Sequence, residues 1–213
     1  QRCKMNEYLI LAAGMIILPG IYMCLTLLQT EKFTGISKIE VIVLAAAEFA
    51  FFRMWRNDIR EEVPYLLSIM RYVMLAFMTY FCVEDYREQL VPNRVLLFLL
   101  VLFPIIVGGY GVHDMDTVLK LLPSIILGFL FSLISFGTGY LLSHGSMGAG
   151  DVKLSLIMGI YLTGKDIPGA VFYGCLIAAG YSIIQLIRKK ITRKDRLPFV
   201  PFLYMGVVVR YLL

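Results

Sequence analysis

Apolar runs long enough to cross a membrane divide this chain. A helix of about 20 residues spans the roughly 30 Å hydrocarbon core of a bilayer. Eight runs approach that length, at residues 8–28, 39–55, 64–83, 95–112, 121–143, 154–164, 167–187 and 197–213. The second contains three charged residues, the sixth is short and the eighth carries an arginine, so these are the weakest candidates. The pattern predicts an all-α, polytopic transmembrane helix bundle of six to eight spans.

The composition supports a membrane protein. Hydrophobic residues make up 59% of the chain and charged residues 16%, whereas soluble domains carry about a quarter charged residues. This argues against a soluble globular, disordered or coiled-coil protein. No repeat or low-complexity linker interrupts the runs, which predicts one membrane-embedded domain over residues 1–213. The run at 8–28 is too long for the apolar part of a removable signal peptide, and we expect it to be retained.

Basic residues between the runs predict the orientation in the membrane. The net charge is +5, and six of the 20 Lys and Arg lie within residues 188–196. Because loops rich in Lys and Arg stay in the cytoplasm, we expect this loop there. Alternation then places 29–38, 84–94 and 144–153 on the same side. Membrane topology and anionic lipid account for the basic residues, so we predict the lipid bilayer, and no nucleic acid, as a partner.

The four cysteines give no sign of a metal or redox centre. Cys3, Cys24, Cys82 and Cys175 lie far apart in sequence, and no CxxC spacing occurs. Three of them fall within apolar runs, where a cysteine usually serves as a small buried hydrophobic residue. We therefore expect no metal and no cofactor.

Two acidic residues at predicted membrane edges are the first candidates for chemistry, because a carboxylate near hydrocarbon is costly. Asp85 follows the third run, and Asp151 precedes the sixth. Each could be ordinary, Asp85 as the polar end of a span and Asp151 as a helix N-cap. Gly148 and Gly150 favour a functional role for Asp151, because glycine permits close backbone approach and positive φ.

The motifs around both aspartates resemble those of type IV prepilin peptidases. Residues 148–151 form a GxGD sequence, which is followed by Val-Lys-Leu with the lysine at Lys153. Asp85 is followed at +7 and +8 by Pro92 and Asn93, which we expect to end the loop and start the next helix. The family has an Ile-Pro-Asn at this place, and here a valine precedes the proline.

The resemblance extends from about residue 70 to the C-terminal end. The proline-rich sequence at 198–202 is similar to the opening of the family's last helix. Large bacterial members carry a cytoplasmic insert with two CxxC pairs and an N-methyltransferase activity, and this chain has neither pair. It is more similar to the short peptidases of tight-adherence pili or to archaeal preflagellin peptidases. Residues 63–213 would then hold the catalytic core, and 1–62 would hold N-terminal spans of uncertain role.

The resemblance implies an aspartyl endopeptidase without methyltransferase activity. Asp85 and Asp151 would be catalytic, and the supporting motif would comprise Gly148, Gly150, Lys153, Pro92 and Asn93. Two close carboxylates share one proton, so one activates water and the other donates to the developing oxyanion. A helix N-terminus favours an ionised Asp151, which makes it the candidate base. The pair titrates as a unit, so both assignments are kept.

The implied substrates are type IV pilin-like or archaellin-like precursors with short basic leaders. Cleavage would occur at the cytoplasmic face of a prokaryotic plasma membrane, with the substrate's apolar segment among the helices. Glu84, Glu88 and Asp195 have the right sign of charge to contact a basic leader, and Glu84 and Glu88 are our candidate substrate-binding residues.

Other polar residues receive structural interpretations first. Lys153 either extends to the membrane interface or tunes the aspartates, and His144 is not needed for aspartyl chemistry. Glu48 and Arg71 lie in separate runs and are expected to pair with each other. Asp114 and its neighbours are interpreted as a loop.

Two rival functions remain open. A small membrane transporter would relay protons or bind a cation through the two aspartates. A catalytically silent assembly partner would use neither of them. Cleavage of a precursor that depends on both aspartates distinguishes the peptidase from these rivals.

Overall fold

The computed structural model describes residues 38–142, 147–189 and 198–213, which form six helices and no strand. The helices are α1 (Lys38–Arg60), α2 (Tyr65–Glu88), α3 (Asn93–Gly111), α4 (Met115–Leu142), α5 (Ala149–Ile187) and α6 (Val200–Leu212). Four of these, α2 to α5, are long and apolar enough to cross a membrane. The all-α multi-pass fold is confirmed, and the predicted span at 8–28 lies outside the described residues.

Two of the helix boundaries that differ from the hydropathy prediction involve the acidic residues Asp85 and Asp114. Helix α2 continues past residue 83 to Glu88, so that Asp85 lies within the helix. Helix α4 begins at Met115 because Asp114 caps it. The backbone N–H of Thr117 donates to Asp114 Oδ1 at 3.0 Å, and its hydroxyl donates to Oδ2 at 2.5 Å. These bonds hold the pKa of Asp114 below its ordinary value, so this residue is a helix cap.

Helix α5 reverses direction at Thr163, where φ is 59° and ψ is 175°. Arg210, near the end of α6, pairs with Asp166, while the first turn of α6 packs on Gly174. The part at 164–187 therefore runs antiparallel to α6. The part at 149–162 starts at the same end of the molecule as α6, so the two parts of α5 form a helical hairpin. This agrees with the two separate runs predicted at 154–164 and 167–187.

The core is centred on α2, which is buried along most of its length between α1, α3, α5 and α6. Large side chains such as Met74, Tyr80 and Phe81 are fully buried there. By contrast, α3 and α4 keep many apolar side chains on the outside, including Ile105 and Ile134. In a helix bundle that crosses a membrane, such residues face lipid.

Glycines bring α4, α5 and α6 into close contact. A Cβ at Gly159 of α5 would overlap the carbonyl oxygen of Gly128 on α4, and a Cβ at Gly206 of α6 would overlap that of Ala170 on α5. Lipid competes for apolar surface between helices, so close backbone approach at small residues is a main source of association in membranes.

Four charged residues, three of them buried, form an ion network at the end of the bundle where α5 reverses. Arg71 Nη1 lies 2.6 Å from Asp58 Oδ1, and Arg71 Nη2 lies 2.6 Å from Asp166 Oδ2. Arg210 Nη2 lies 3.1 Å from Asp166 Oδ1. Ser68 also donates to Asp58, at 2.6 Å. The ion network thus joins α1, α2, α5 and α6 at one level.

The expected pairing of Glu48 with Arg71 is wrong. Arg71 is occupied by Asp58 and Asp166, and neither carboxylate oxygen of Glu48 has a hydrogen-bond partner among the described residues. The planar guanidinium presents several donors in a fixed geometry, so one arginine can hold two carboxylates at once. The prediction paired Glu48 with Arg71 because both lie inside candidate spans, but Asp58, in the last turn of α1, is the residue that binds Arg71.

The close approach of α4 and α5 predicts a strong effect of a single methyl group. We expect Gly159→Ala to lower the free energy of unfolding by about 1–3 kcal/mol, the usual cost of overpacking. The matched control is Gly180→Ala on the same helix, where an added Cβ meets no atom within 4 Å. Thermal unfolding in detergent measures both, and equal midpoints would contradict the packing argument.

The ion network predicts a second difference in stability. Arg71→Leu leaves Asp58 buried without its cation and leaves Asp166 with Arg210 alone, which should cost about 3–5 kcal/mol. Lys165→Leu removes the exposed pair with Glu61 at 3.4 Å and should cost about 1 kcal/mol or less. Urea titration monitored by near-ultraviolet circular dichroism compares them. A similar loss in both variants would show that the ion network does not hold the helices together.

Candidate active site

Asp85 is placed by two helices at the end of the bundle opposite the ion network. It lies one turn before the end of α2 and is 4% exposed. The backbone N–H of Val200, the first residue of α6, donates to Asp85 Oδ2 at 2.9 Å. The first amides of a helix lack partners within the helix, and here one of them binds a buried carboxylate. Asp85 is therefore more than the polar end of a span.

The chain turns sharply after Asp85. Gln89 adopts a left-handed conformation with φ 52° and ψ 36°, and its N–H donates to the carbonyl of Asp85 at 3.0 Å. Pro92 then precedes α3 with φ −69° and ψ 116°, and Asn93 is the first residue of that helix. The expectation that Pro92 and Asn93 end the loop and begin the next helix is confirmed. The short connection 89–92 thus starts at the hydrogen bond to the backbone of Asp85 and ends where α3 begins.

Asp151 lies in the first turn of α5, and its N–H donates to the carbonyl of Gly148 at 3.1 Å. A Cβ at Gly148 would lie 3.2 Å from Asp151 Oδ2, and a Cβ at Gly150 would lie 3.1 Å from the Cβ of Val91. The predicted close approach at both glycines is confirmed. Neither glycine uses the positive φ that this residue type permits, because Gly148 has φ −68° and Gly150 lies within the helix. These glycines leave space for the carboxylate and for the neighbouring connection.

Both aspartates line one cavity of about 350 Å³. The cavity is also lined by Gln89, Leu90, Val91, Asn93, Gly148, Ala149, Gly150, Lys153, Pro198 and Phe199. Asp151 is half-buried, and its carboxylate is close enough to Asp85 for the two charges to interact. Residues 66 positions apart therefore meet at one space large enough for several water molecules or part of a peptide.

Lys153 and Asn93, two residues of the predicted supporting motif, contact each other. Lys153 Nζ donates to Asn93 Oδ1 at 3.1 Å. This bond joins the first turn of α5 to the first residue of α3, and both side chains are exposed at the rim of the cavity. The contact gives Lys153 a place in the site, beside the aspartates and linked to the connection that follows Asp85.

Other candidates lie away from the cavity. Glu84 is half-buried and Glu88 is exposed, and neither lines the cavity although both neighbour Asp85 on α2. Arg87 instead pairs with the buried Glu40, which ties the start of α1 to the end of α2. His144 and Asp195 lie outside the described residues.

The sequence prediction missed the backbone partner of Asp85. The N–H of Val200 carries no side-chain signature, and the flanking side chains of Pro198 and Phe199 complete one wall of the cavity. The proline-rich sequence at 198–202 was the available signal, because proline favours the first turn of a helix, where amides are free to bind a carboxylate.

A protein family and several known proteins are similar in sequence to this chain. Residues 72–183 match the type IV leader peptidase family. The chain is 29% identical over 140 residues to the prepilin leader peptidase/N-methyltransferase of Bacillus subtilis (strain 168), covering 66% of this chain and 54% of that protein. It is 29% identical over 146 residues to leader peptidase HopD of Escherichia coli, covering 66% of this chain and 87% of that protein.

A third relative, leader peptidase HopD of Salmonella typhimurium, is 26% identical over 145 residues, covering 62% of this chain and 89% of that protein. The chain thus spans about half the length of the Bacillus relative it matches. No solved structure matches it. Asp85 and Asp151 both lie within the matched residues 72–183. Because that match covers more than half of its 213 residues, this chain belongs to the type IV leader peptidase family.

Proposed function

We propose that this chain is an aspartic endopeptidase that removes short basic leaders from type IV pilin-like or archaellin-like precursors. The observation that carries the proposal is the shared cavity of Asp85 and Asp151, which different helices bring together. Two carboxylates that can act on one water molecule are the chemical requirement of an aspartic peptidase. The supporting residues proposed with them are Gly148, Gly150 and Lys153, together with the Pro92-Asn93 pair described above.

In the proposed mechanism the pair holds one proton. The ionised carboxylate takes a proton from a water molecule as the water attacks the scissile carbonyl, and the protonated carboxyl donates to the developing oxyanion. Asp85 receives the Val200 N–H, and Asp151 lies at the N-terminus of α5. Since both carboxylates lie at a helix N-terminus, we treat the pair as one titrating unit.

We further propose that the site faces the cytoplasm of a prokaryote and that the whole chain acts as one peptidase domain. The connection 89–92 and the starts of α5 and α6 lie at the same end of the bundle. Helix α5 ends at Ile187, and the next residues in sequence, 188–196, carry six Lys and Arg, a charge that favours the cytoplasmic side. The absence of any CxxC pair in the sequence supports a peptidase without methyltransferase activity.

The proposal predicts loss of cleavage when either carboxyl is replaced by an amide. We expect Asp85→Asn and Asp151→Asn each to lower kcat by at least about 10²-fold, because each removes a proton-transfer group. The assay is cleavage of a synthetic prepilin by the purified protein in detergent, analysed by mass spectrometry. The control is Asp116→Asn, an exposed acid at the other end of the bundle, which should cleave like the wild type.

The same variants test the rival transporter function. Reconstituted protein that carries protons or cations across vesicles through the two aspartates, and that leaves the prepilin intact, would overturn the peptidase proposal. A single cut between leader and apolar segment, absent in both variants, supports it. Cleavage retained in either variant would contradict the catalytic pair.

The contact of Gly150 with Val91 predicts a steric effect on catalysis. We expect Gly150→Ala to lower kcat severalfold, because the added methyl group displaces Val91 and the connection 89–92 and so shifts the carboxylates. Val91→Gly removes the opposing Cβ and should restore part of the activity in the double variant. Gly180→Ala on the same helix is the control. Full activity of Gly150→Ala would show that the close approach has no catalytic role.

A further inference from the structure

An apolar groove opens beside the catalytic cavity, between α3, α4 and the first part of α5. Its volume is about 430 Å³, and its apolar lining includes Leu96, Leu97, Leu100, Phe129, Ile157 and Ile160. Asn93 and Lys153 line both this groove and the catalytic cavity. The hydrogen bond between these two side chains therefore marks the place where the polar cavity and the apolar groove meet.

The groove extends from the catalytic cavity toward the middle of the bundle. Its walls run from Asn93 to Leu100 on α3 and from Lys153 to Ile160 on α5, a length of about 10 Å at 1.5 Å per residue. At its far end the hydroxyl of Tyr161 donates to the carbonyl of Leu99 at 2.8 Å and holds α3 against α5. The groove is thus a fixed feature between two tied helices.

The groove has a buried floor and an open side. Leu96 and Ile157 are 4% and 7% exposed, whereas Leu97 and Leu100 are 61% and 49% exposed. Of the residues that the structure describes, Asn93 and Lys153 at the mouth are the polar ones that line it. A surface of this kind binds an apolar helix side-on, through side chains repeated every turn.

We propose that this groove binds the apolar helical segment that follows the scissile bond of the precursor. The inference rests on the proposed function and names where the substrate lies. A precursor must bring a polar, extended peptide bond to Asp85 and Asp151 while its apolar segment stays out of water. Backbone within hydrocarbon must be helical to satisfy its hydrogen bonds. A path that is polar at the carboxylates and apolar from Asn93 inward meets both requirements.

Photocrosslinking in membranes tests the position of the substrate without requiring turnover. p-Benzoylphenylalanine is placed at Leu97 in the full chain carrying Asp151→Asn. This variant is expected not to cleave the precursor, so the intact precursor is available for crosslinking. The control places it at Phe172, on the second part of α5, which is 62% exposed and does not line the groove. We expect a crosslink to the apolar segment of a tagged synthetic prepilin from Leu97, at least ten times stronger than from Phe172.

Filling the groove gives an independent kinetic test. Leu100→Trp should raise KM for the synthetic prepilin at least tenfold with kcat unchanged, because the reacting carboxyls are untouched. Phe172→Trp should leave both constants unchanged. An unchanged KM in Leu100→Trp, or a fall in kcat alone, would overturn the groove proposal.

The outcomes separate this inference from the proposed function. Normal cleavage by the wild type with no precursor crosslink at Leu97 overturns the groove and leaves the peptidase standing. Crosslinks from Leu97 to lipid alone, or to residues 8–28 of the same chain, overturn it in the same way. A crosslink at Leu97 without cleavage by the wild type supports the groove and refutes the peptidase.

Discussion

The ion network of Asp58, Arg71, Asp166 and Arg210 is the contact on which the helix arrangement depends. Its charges balance, and three of the four residues are buried. An unpaired charge in such surroundings costs several kcal/mol, so alternatives that separate these residues are strongly disfavoured. Four helix segments are thereby held at one depth, and the rotation of each about its axis is restricted.

This constraint matters for the site because the same helices extend to it. Helix α2 carries Arg71 and, about 21 Å along its axis, Asp85. Helix α6 carries Arg210 and, about 15 Å away, the Val200 amide that binds Asp85. Helix α5 carries Asp151 in its first turn, at the site. After its reversal it carries Asp166, which belongs to the ion network. A rigid helix fixed at one end leaves little freedom of register at the other, so the ion network and the carboxylate pair belong to one arrangement.

Particular residues show how far sequence patterns reach. The apolar runs located every helix in the described part of the chain, and even the reversal in α5, because hydropathy is a local property of spanning segments. They placed Asp85 outside its helix, since a charged residue looks like the end of a span, whereas the buried Val200 amide lets α2 continue past it. They did not identify the partner of Arg71, which is Asp58 and not Glu48, because packing decides which face of α1 is turned toward Arg71. Asp114 was interpreted as loop because a cap depends on the geometry of one turn.

From the residues alone follow the membrane-spanning architecture, the family resemblance, and the identity of Asp85 and Asp151 as the groups to examine. The tertiary structure decides the contacts around these groups. The amide of Val200 on α6 binds Asp85, Val91 packs against Gly150, and the groove continues beyond Asn93. The physical reason is that hydropathy and short motifs are encoded within one segment. Contacts between segments depend instead on the rotation and depth of whole helices, which close glycine packing and buried ion pairs set together.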